Sequence, residues 1–176
     1  MLREKLAGLI DPADNVLECA CGTGLLSLAI APRCHSLIAT DFSQNMVKRT
    51  AKKCAAYPNV TVREANILKL DFPDESFDVV VAGNVIHLLD EPYKALGELD
   101  RACKLGGQIV IPTYMNKDEK GDAGAWSEAL GKAGVDFKRE FTLATYQAFF
   151  AEAGYENASY TMIEGRIPCA LAVIQK

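Results

Sequence analysis

Short apolar runs separated by turn residues set the rhythm of this chain. Val16-Leu17 with Cys19, Ser36 to Thr40, Val60 to Val62, Phe77 to Ala82 and Gln108 to Pro112 are five such runs. They are rich in β-branched residues and too short for core helices, so each predicts a buried strand. The intervening segments carry helical spacing. Leu2, Leu6, Leu9 and Ile10 share one helical face, which Asp11-Pro12 ends. A helix from about Leu25 is closed by Pro32, and Ser43 caps another whose Met46 and Val47 face the sheet. A further helix starts at Asp90-Glu91-Pro92, runs to about Cys103 and stops before Gly106-Gly107. Strands alternating with helices predict an α/β fold around a parallel sheet. The last third reads as a polar loop from Lys117 to Ala125, a helix with Trp126, Leu130 and Ala133, and a helix with Tyr146, Phe149 and Phe150. It closes as two strands, Tyr155 to Met162 and Ala170 to Ile174, joined at Glu164-Gly165-Arg166.

The first strand ends in the stretch on which the rest depends, Glu18-Cys19-Ala20-Cys21-Gly22-Thr23-Gly24. A strand that feeds a helix through a Gly-rich turn is where an open α/β sheet binds a nucleotide-like ligand. Gly22 and Gly24 can take φ > 0 and admit a ligand where a Cβ would collide. The second strand ends at Asp41, seventeen residues after Gly24. A carboxylate there can accept two hydrogen bonds from a ribose diol. Asn84 and His87 follow the fourth strand, and Tyr114 and Asn116 follow the fifth, all at the carboxyl edge where such sheets bind ligands. Asp78, near the start of a buried strand, is expected to anchor a neighbouring loop.

These residues carry a resemblance. Glu18-x-Ala20-x-Gly22-x-Gly24 resembles the first motif of the class I S-adenosylmethionine-dependent methyltransferases, with Ala20 in place of its first glycine. "IATDFSQNM" resembles the second motif. "ANILKLDFPDESFDVVV" resembles the third and fourth motifs of the small-molecule, UbiE-like (type 11) members, with Asn66 where an aspartate usually holds the adenine amino group. The resemblance runs from Val16 to Lys176. It implies a Rossmann-like, mostly parallel seven-stranded sheet in the order 3-2-1-4-5-7-6, strand 7 antiparallel, with helices on both faces. It implies S-adenosylmethionine as cofactor and S-adenosylhomocysteine as product. The cofactor residues it implies are Glu18, Ala20, Cys21, Gly22, Thr23, Gly24, Asp41, Phe42, Met46, Asn66, Ile67 and Asn84. Residues 1–176 are expected to form one methyltransferase domain with a short N-terminal cap. Only about 13 residues precede strand one, so the pocket is expected to be open, covered by a partner subunit, or part of a longer protein.

The sulfonium makes the methyl electrophilic, so transfer is an in-line displacement, and alignment of donor and acceptor supplies about 7–11 kcal/mol. A base is needed only where the acceptor holds a proton at neutral pH. His87 is the candidate base, with an unperturbed pKa of about 6.5. His87, Tyr114, Asn116 and Arg166 are candidates for the acceptor, each with a purely structural role as the alternative.

Composition narrows the classes further. Net charge is −4, and no lysine or arginine block stands out, so no nucleic-acid partner is expected. No apolar run reaches the roughly 18 residues that span a bilayer, so no membrane partner is expected, and with Arg3, Glu4 and Lys5 so close to Met1 no secretory signal is expected. The six cysteines include no Cys-x-x-Cys, and the two histidines complete no metal pattern. Buried reduced thiols in a cytoplasmic protein are the expectation, with Cys19 and Cys21 on one strand face. A dimer is compatible with the sequence. A small-molecule methyltransferase is the favoured reading. The alternatives are a nucleic-acid or protein methyltransferase and a non-catalytic binder of S-adenosylmethionine or NAD. Asn84-Val85-Ile86-His87 lacks the Asn/Asp-Pro-Pro-aromatic sequence of DNA amino-methylases. A NAD-dependent dehydrogenase is expected to continue into a substrate domain beyond such a sheet.

Overall fold

A computed structural model describes residues 1–115, 136–165 and 167–176. The apolar runs become β1 (Asn15–Cys19), β2 (Ser36–Asp41), β3 (Val60–Glu64), β4 (Phe77–Ala82) and β5 (Cys103–Tyr114), and the closing hairpin is β6 (Ser159–Ile163) and β7 (Cys169–Gln175). They pair in the order β3-β2-β1-β4-β5-β7-β6. β1 pairs parallel with both β2 and β4, and β7 runs antiparallel to β5 and β6.

Alternation along the strands divides the interior into two cores. Leu17, Cys19, Val80, Ala82, Ile109 and Ile111 face α4 (Pro92–Ala102) and α5 (Leu143–Glu152). Val16, Leu37, Ala39, Val79, Val81 and Val110 face Leu6 of α1 (Leu2–Ala7) and Ile30 of α2 (Ser27–Ile30). α3 (Gln44–Cys54) packs on β2 and β3 and buries Thr50 and Cys54. Helices thus cover both faces, as a parallel sheet requires. Asp78 anchors the amino end of β1: its carboxylate accepts from the Asn15 backbone N–H at 2.9 Å and pairs with Lys104 at 2.7 Å.

Four expectations change. Cys19 and Cys21 do not share a face: β1 ends at Cys19, Ala20 turns the chain with φ +56°, and Cys21 joins the opposite core. The helix after the glycine turn begins at Ser27 and has 4 residues, because residues 22–26 are spent in turns. Gly106-Gly107 does not end α4. That helix stops at Ala102 and β5 begins at once, running 12 residues through both glycines. The pairing with β4 shifts register between Phe77 and Val79, and a Cβ on Gly107 would stand 2.6 Å from the Asp78 carbonyl oxygen. The glycine serves close strand approach at a bulge rather than a helix cap. β6 starts at Ser159, after a turn that takes up Tyr155. The loop at Lys117, the helix around Trp126, and the candidates Asn116 and Arg166 lie outside the described residues.

Candidate active site

The strand order reverses between β1 and β4, and ligands bind at the carboxyl ends of strands at such a switch point. A cavity of about 660 Å³ opens there, within the usual size of small-molecule sites. Ten of the residues expected at the cofactor line it: Glu18, Ala20, Cys21, Gly22, Thr23, Asp41, Phe42, Asn66, Ile67 and Asn84. Tyr114, from the acceptor candidates, lines it too.

The β1 tip is built as a closed hydrogen-bond set. Ala20, Gly22 and Gly24 all have positive φ. The Cys21 N–H donates to the Thr40 carbonyl at 2.8 Å, tying the turn to β2. Asp41 accepts from the Gly22 N–H at 2.8 Å through one oxygen and from the Ser43 N–H at 2.9 Å through the other. Each carboxylate oxygen keeps a lone pair, so Asp41 is held in place and can still accept from a ligand. Thr50 Oγ1 donates to the Gly22 carbonyl at 2.8 Å. A Cβ on Gly24 would lie 3.0 Å from Thr50 Oγ1; Gly24 therefore lets α3 approach the turn and does not line the cavity. A Cβ on Gly22 would meet only the Ala20 carbonyl oxygen, at 4.0 Å.

Glu18 is the lone acid of the apolar run. It faces α2, is 1% exposed, and accepts from Ser27 Oγ at 2.5 Å. Burial without a cation pushes its pKa up to about 8, against the opposing Ser27 bond.

The β4 tip is different. Asn84 has φ +53°, and its N–H donates to the Pro112 carbonyl at 2.7 Å. Its side-chain Oδ1 is buried with no hydrogen-bond partner among the described residues. His87 is 4% exposed, stands outside the cavity lining, and stacks on Phe137 with ring centroids 5.3 Å apart. Burial, with Arg139 nearby, lowers its pKa to about 4. Its Nδ1 is likewise without a partner among the described residues. Tyr114 stands 6.4 Å from it, ring to ring. Met46 is half-buried on α3 and is not part of the lining. Asn66 is exposed, and its Oδ1 accepts from the Leu68 N–H at 2.9 Å, so one lone pair of that oxygen is committed to a local turn.

Sequence reasoning missed the apolar half of the lining: Leu2, Leu25, Leu26, Leu68, Val85, Leu88 and Leu89. Their signal was position, since most follow a strand's carboxyl end, but single leucines in loops carry no spacing. It also missed Arg139, which donates to the Ile86 and Leu89 carbonyls at 2.8 Å each. The backbone N–H groups of Lys138 and Arg139 both reach the His87 carbonyl. This segment clamps the turn after β4.

A glycine turn on β1, an anchored acid on β2 and seven strands in this order define a nucleoside-binding α/β enzyme fold. The family model described as a methyltransferase domain matches residues 17–111. The chain belongs to that family, the class I S-adenosylmethionine-dependent methyltransferases, whose cofactor is S-adenosylmethionine. It is 36% identical over 121 residues to the phosphatidylethanolamine N-methyltransferase of Cereibacter sphaeroides, covering 67% of this chain and 59% of that protein. It is 33% identical over 104 residues to the demethylmenaquinone methyltransferase of Lysinibacillus sphaericus, covering 57% of this chain and 44% of that one. The chain thus spans about half the length of these relatives. A solved SAM-dependent methyltransferase from Aquifex aeolicus superposes with a TM-score of 0.73 over 99% of this chain and 89% of the other. At 20% identity that likeness shows the fold alone. The cavity's chemistry fits the family's cofactor on three counts: an anchored carboxylate on β2, a glycine in the lining whose absent Cβ leaves the backbone approachable, and an amide oxygen at the switch point without a partner among the described residues.

Proposed function

We propose that this chain, residues 1–176 acting as one domain, transfers a methyl group from S-adenosylmethionine to a small, largely apolar acceptor. The observation that carries this reading is the composition of the cavity at the switch point. A polar, pre-anchored wall at Glu18, Gly22 and Asp41 meets an apolar wall of Leu25, Val85, Leu88 and Leu89. Two relatives bear names that specify a phospholipid and a quinone precursor, which agrees with an apolar acceptor.

Under this reading Asp41 accepts from the sugar hydroxyls. Ile67 and Leu68 flank the base, with Asn66 at its edge. Asn84 Oδ1 finds its donor on a bound molecule. When bound, the cofactor supplies an electrophilic methyl carbon. The protein's own work is then alignment and exclusion of water. Glu18 gives up its proton when a cation is seated at the cavity floor. His87 serves as packing beneath Tyr114: a base works best with a pKa near the operating pH, and burial holds this imidazole at about 4.

Calorimetry with S-adenosylmethionine, S-adenosylhomocysteine and NAD, followed by a cofactor-consumption screen over apolar and polar metabolites, tests the reading. Binding of the first two, and turnover confined to apolar acceptors, is expected. NAD binding alone would overturn it, and turnover of polar acceptors only would overturn its second half. Run in buffers of different ionisation enthalpy at pH 7, the same titrations should reveal proton release on binding, and Glu18→Gln should abolish that release.

A further inference from the structure

α3 presents a charge pattern that no other helix among the described residues shows. Its inner side, Thr50 and Cys54, is buried against the sheet, and Thr50 holds the glycine turn. Its outer side carries Lys48, Arg49, Lys52 and Lys53, all exposed, and the helix contains no acid. At 100° per residue these positions fall within one stripe. The linear sequence hides it, because the two pairs are separated by Thr50-Ala51 and the chain as a whole is acidic, with net charge −4. Lys48, Arg49 and Lys52 form no ion pair among the described residues, whereas Lys53 donates to the Thr23 carbonyl at 2.6 Å and so places the stripe against the glycine turn.

The mouth of the cavity adds a second feature. Phe42, which leads into α3, is 73% exposed, and Leu25, two residues from the carbonyl that Lys53 binds, is 53% exposed. Both line the cavity. Large apolar side chains left in water beside a stripe of unpaired cations make an amphipathic surface of the kind that lies on a lipid interface.

We propose that α3, with Phe42 and Leu25, docks this protein on an anionic lipid surface so that the cavity mouth opens onto the bilayer. The cations bind the headgroups, and the two apolar side chains enter the boundary beneath them. An apolar acceptor then passes from lipid to cavity without crossing water. The inference rests on the apolar-acceptor reading above, and it places the lipid contact on a surface helix; among the described residues no helix is long and apolar enough to cross a membrane. A nucleic acid is the lesser match for the stripe: single-strand binding uses several aromatic platforms along a cationic groove, and residues 42–54 hold one aromatic, Phe42.

Vesicle flotation of the full chain tests the proposal, with phosphatidylglycerol mixed into phosphatidylcholine against phosphatidylcholine alone, at low and high salt. Flotation with the anionic vesicles only, weakened by salt, is expected. Each cation near such a surface contributes about a five-fold factor, so Lys48→Gln/Arg49→Gln/Lys52→Gln should lower partitioning about 100-fold. The same variant should bind S-adenosylhomocysteine as the parent does, which shows that it is folded. Equal flotation with neutral vesicles, no flotation, an unchanged variant, or displacement from vesicles by a single-stranded oligonucleotide would overturn the docking. Turnover of an apolar acceptor dispersed in neutral detergent isolates the acceptor reading: flotation without that turnover sinks the reading, and turnover without flotation sinks the docking.

Discussion

The two strand tips that face each other across the switch point are built on opposite plans. Each ends in a non-glycine residue with positive φ, Ala20 after β1 and Asn84 after β4. Around the β1 tip the polar groups are matched: Glu18 to Ser27, Asp41 to Gly22 and Ser43, Thr50 to the Gly22 carbonyl, Cys21 to Thr40. Around the β4 tip two buried polar atoms, Asn84 Oδ1 and His87 Nδ1, have no partner among the described residues. Buried polar groups are paired in the great majority of cases, so an unpaired one calls for an explanation. A tip whose bonds are complete before the ligand arrives holds a fixed shape for one ligand. A tip with unspent acceptors leaves a buried polar atom for a bound molecule to satisfy.

The largest test of the matched tip is Glu18→Gln. The Glu18 carboxyl keeps its proton in the folded protein up to about pH 8, against an ordinary value of 4.5. Between these values the folded state holds a proton that the unfolded chain has lost. Stability from this group is therefore complete below about pH 4.5 and falls as pH rises toward 8. The loss is on the order of 3–5 kcal/mol. Glutamine retains an acceptor for Ser27 and cannot ionise. Urea midpoints at pH 5 and pH 8 should show the variant losing much less stability than the parent over that interval. Equal losses would mean that Glu18 is charged and solvated in the fold.

Asp41→Ala removes the acid that holds the turn and, in the proposed role, the sugar acceptor. Cofactor binding should weaken by roughly 1.5–3 kcal/mol, the scale of hydrogen bonds to a charged group. Calorimetric dissociation constants for S-adenosylhomocysteine read this directly, and an unchanged constant removes Asp41 from the site.

How far these contrasts were legible from sequence differs by tip. Around β1 the signal is local: one acid in an apolar run, two glycines, and an acid at the end of the next strand fix the backbone within a few bonds of each residue. That is why Glu18, Gly22 and Asp41 fall in one cavity as expected. Around β4 the deciding contacts come from far along the chain. Arg139 clamps the turn from about fifty positions away, and Phe137 covers His87. Nothing in Asn84-Val85-Ile86-His87 announces that burial, so the histidine reads as a loop base when the fold makes it a stacked core ring. The reading of β5 failed for a related reason. A glycine pair is the same signal for a helix end and for a bulge, and only the neighbouring strand distinguishes them. The four cations of α3 escaped because a stripe exists on a helix and not in a row of letters.

For the unmatched tip, Asn84→Gly keeps the positive φ that the position requires and deletes the orphaned oxygen. Affinity for the bound molecule that satisfies that oxygen should fall by about 0.5–1.5 kcal/mol, with stability of the free protein unchanged or raised, because an unsatisfied buried group has been removed. The paired readout separates a ligand contact from a structural one: loss of stability with no loss of affinity would show that Asn84 is spent within the fold.

Ala20→Gly is the smallest and the most direct comparison of the two tips. Ala20 sits at φ +56°, where an L-residue with a Cβ is strained by roughly 1–2 kcal/mol and glycine is not. Glycine also gains freedom in the unfolded chain, which offsets about 0.4–1 kcal/mol of that relief. A net stabilisation of about 0.5–1 kcal/mol should appear as a higher urea midpoint with an unchanged slope. Asn84, whose side chain tolerates the same backbone region, should gain less from the identical change. If Ala20→Gly destabilises instead, the methyl must contribute packing that outweighs the strain: Ala20 is partly buried against the core that holds Leu17 and Val80. Affinity for S-adenosylhomocysteine in the same variant then decides whether the methyl shapes the cavity wall or only the core behind it.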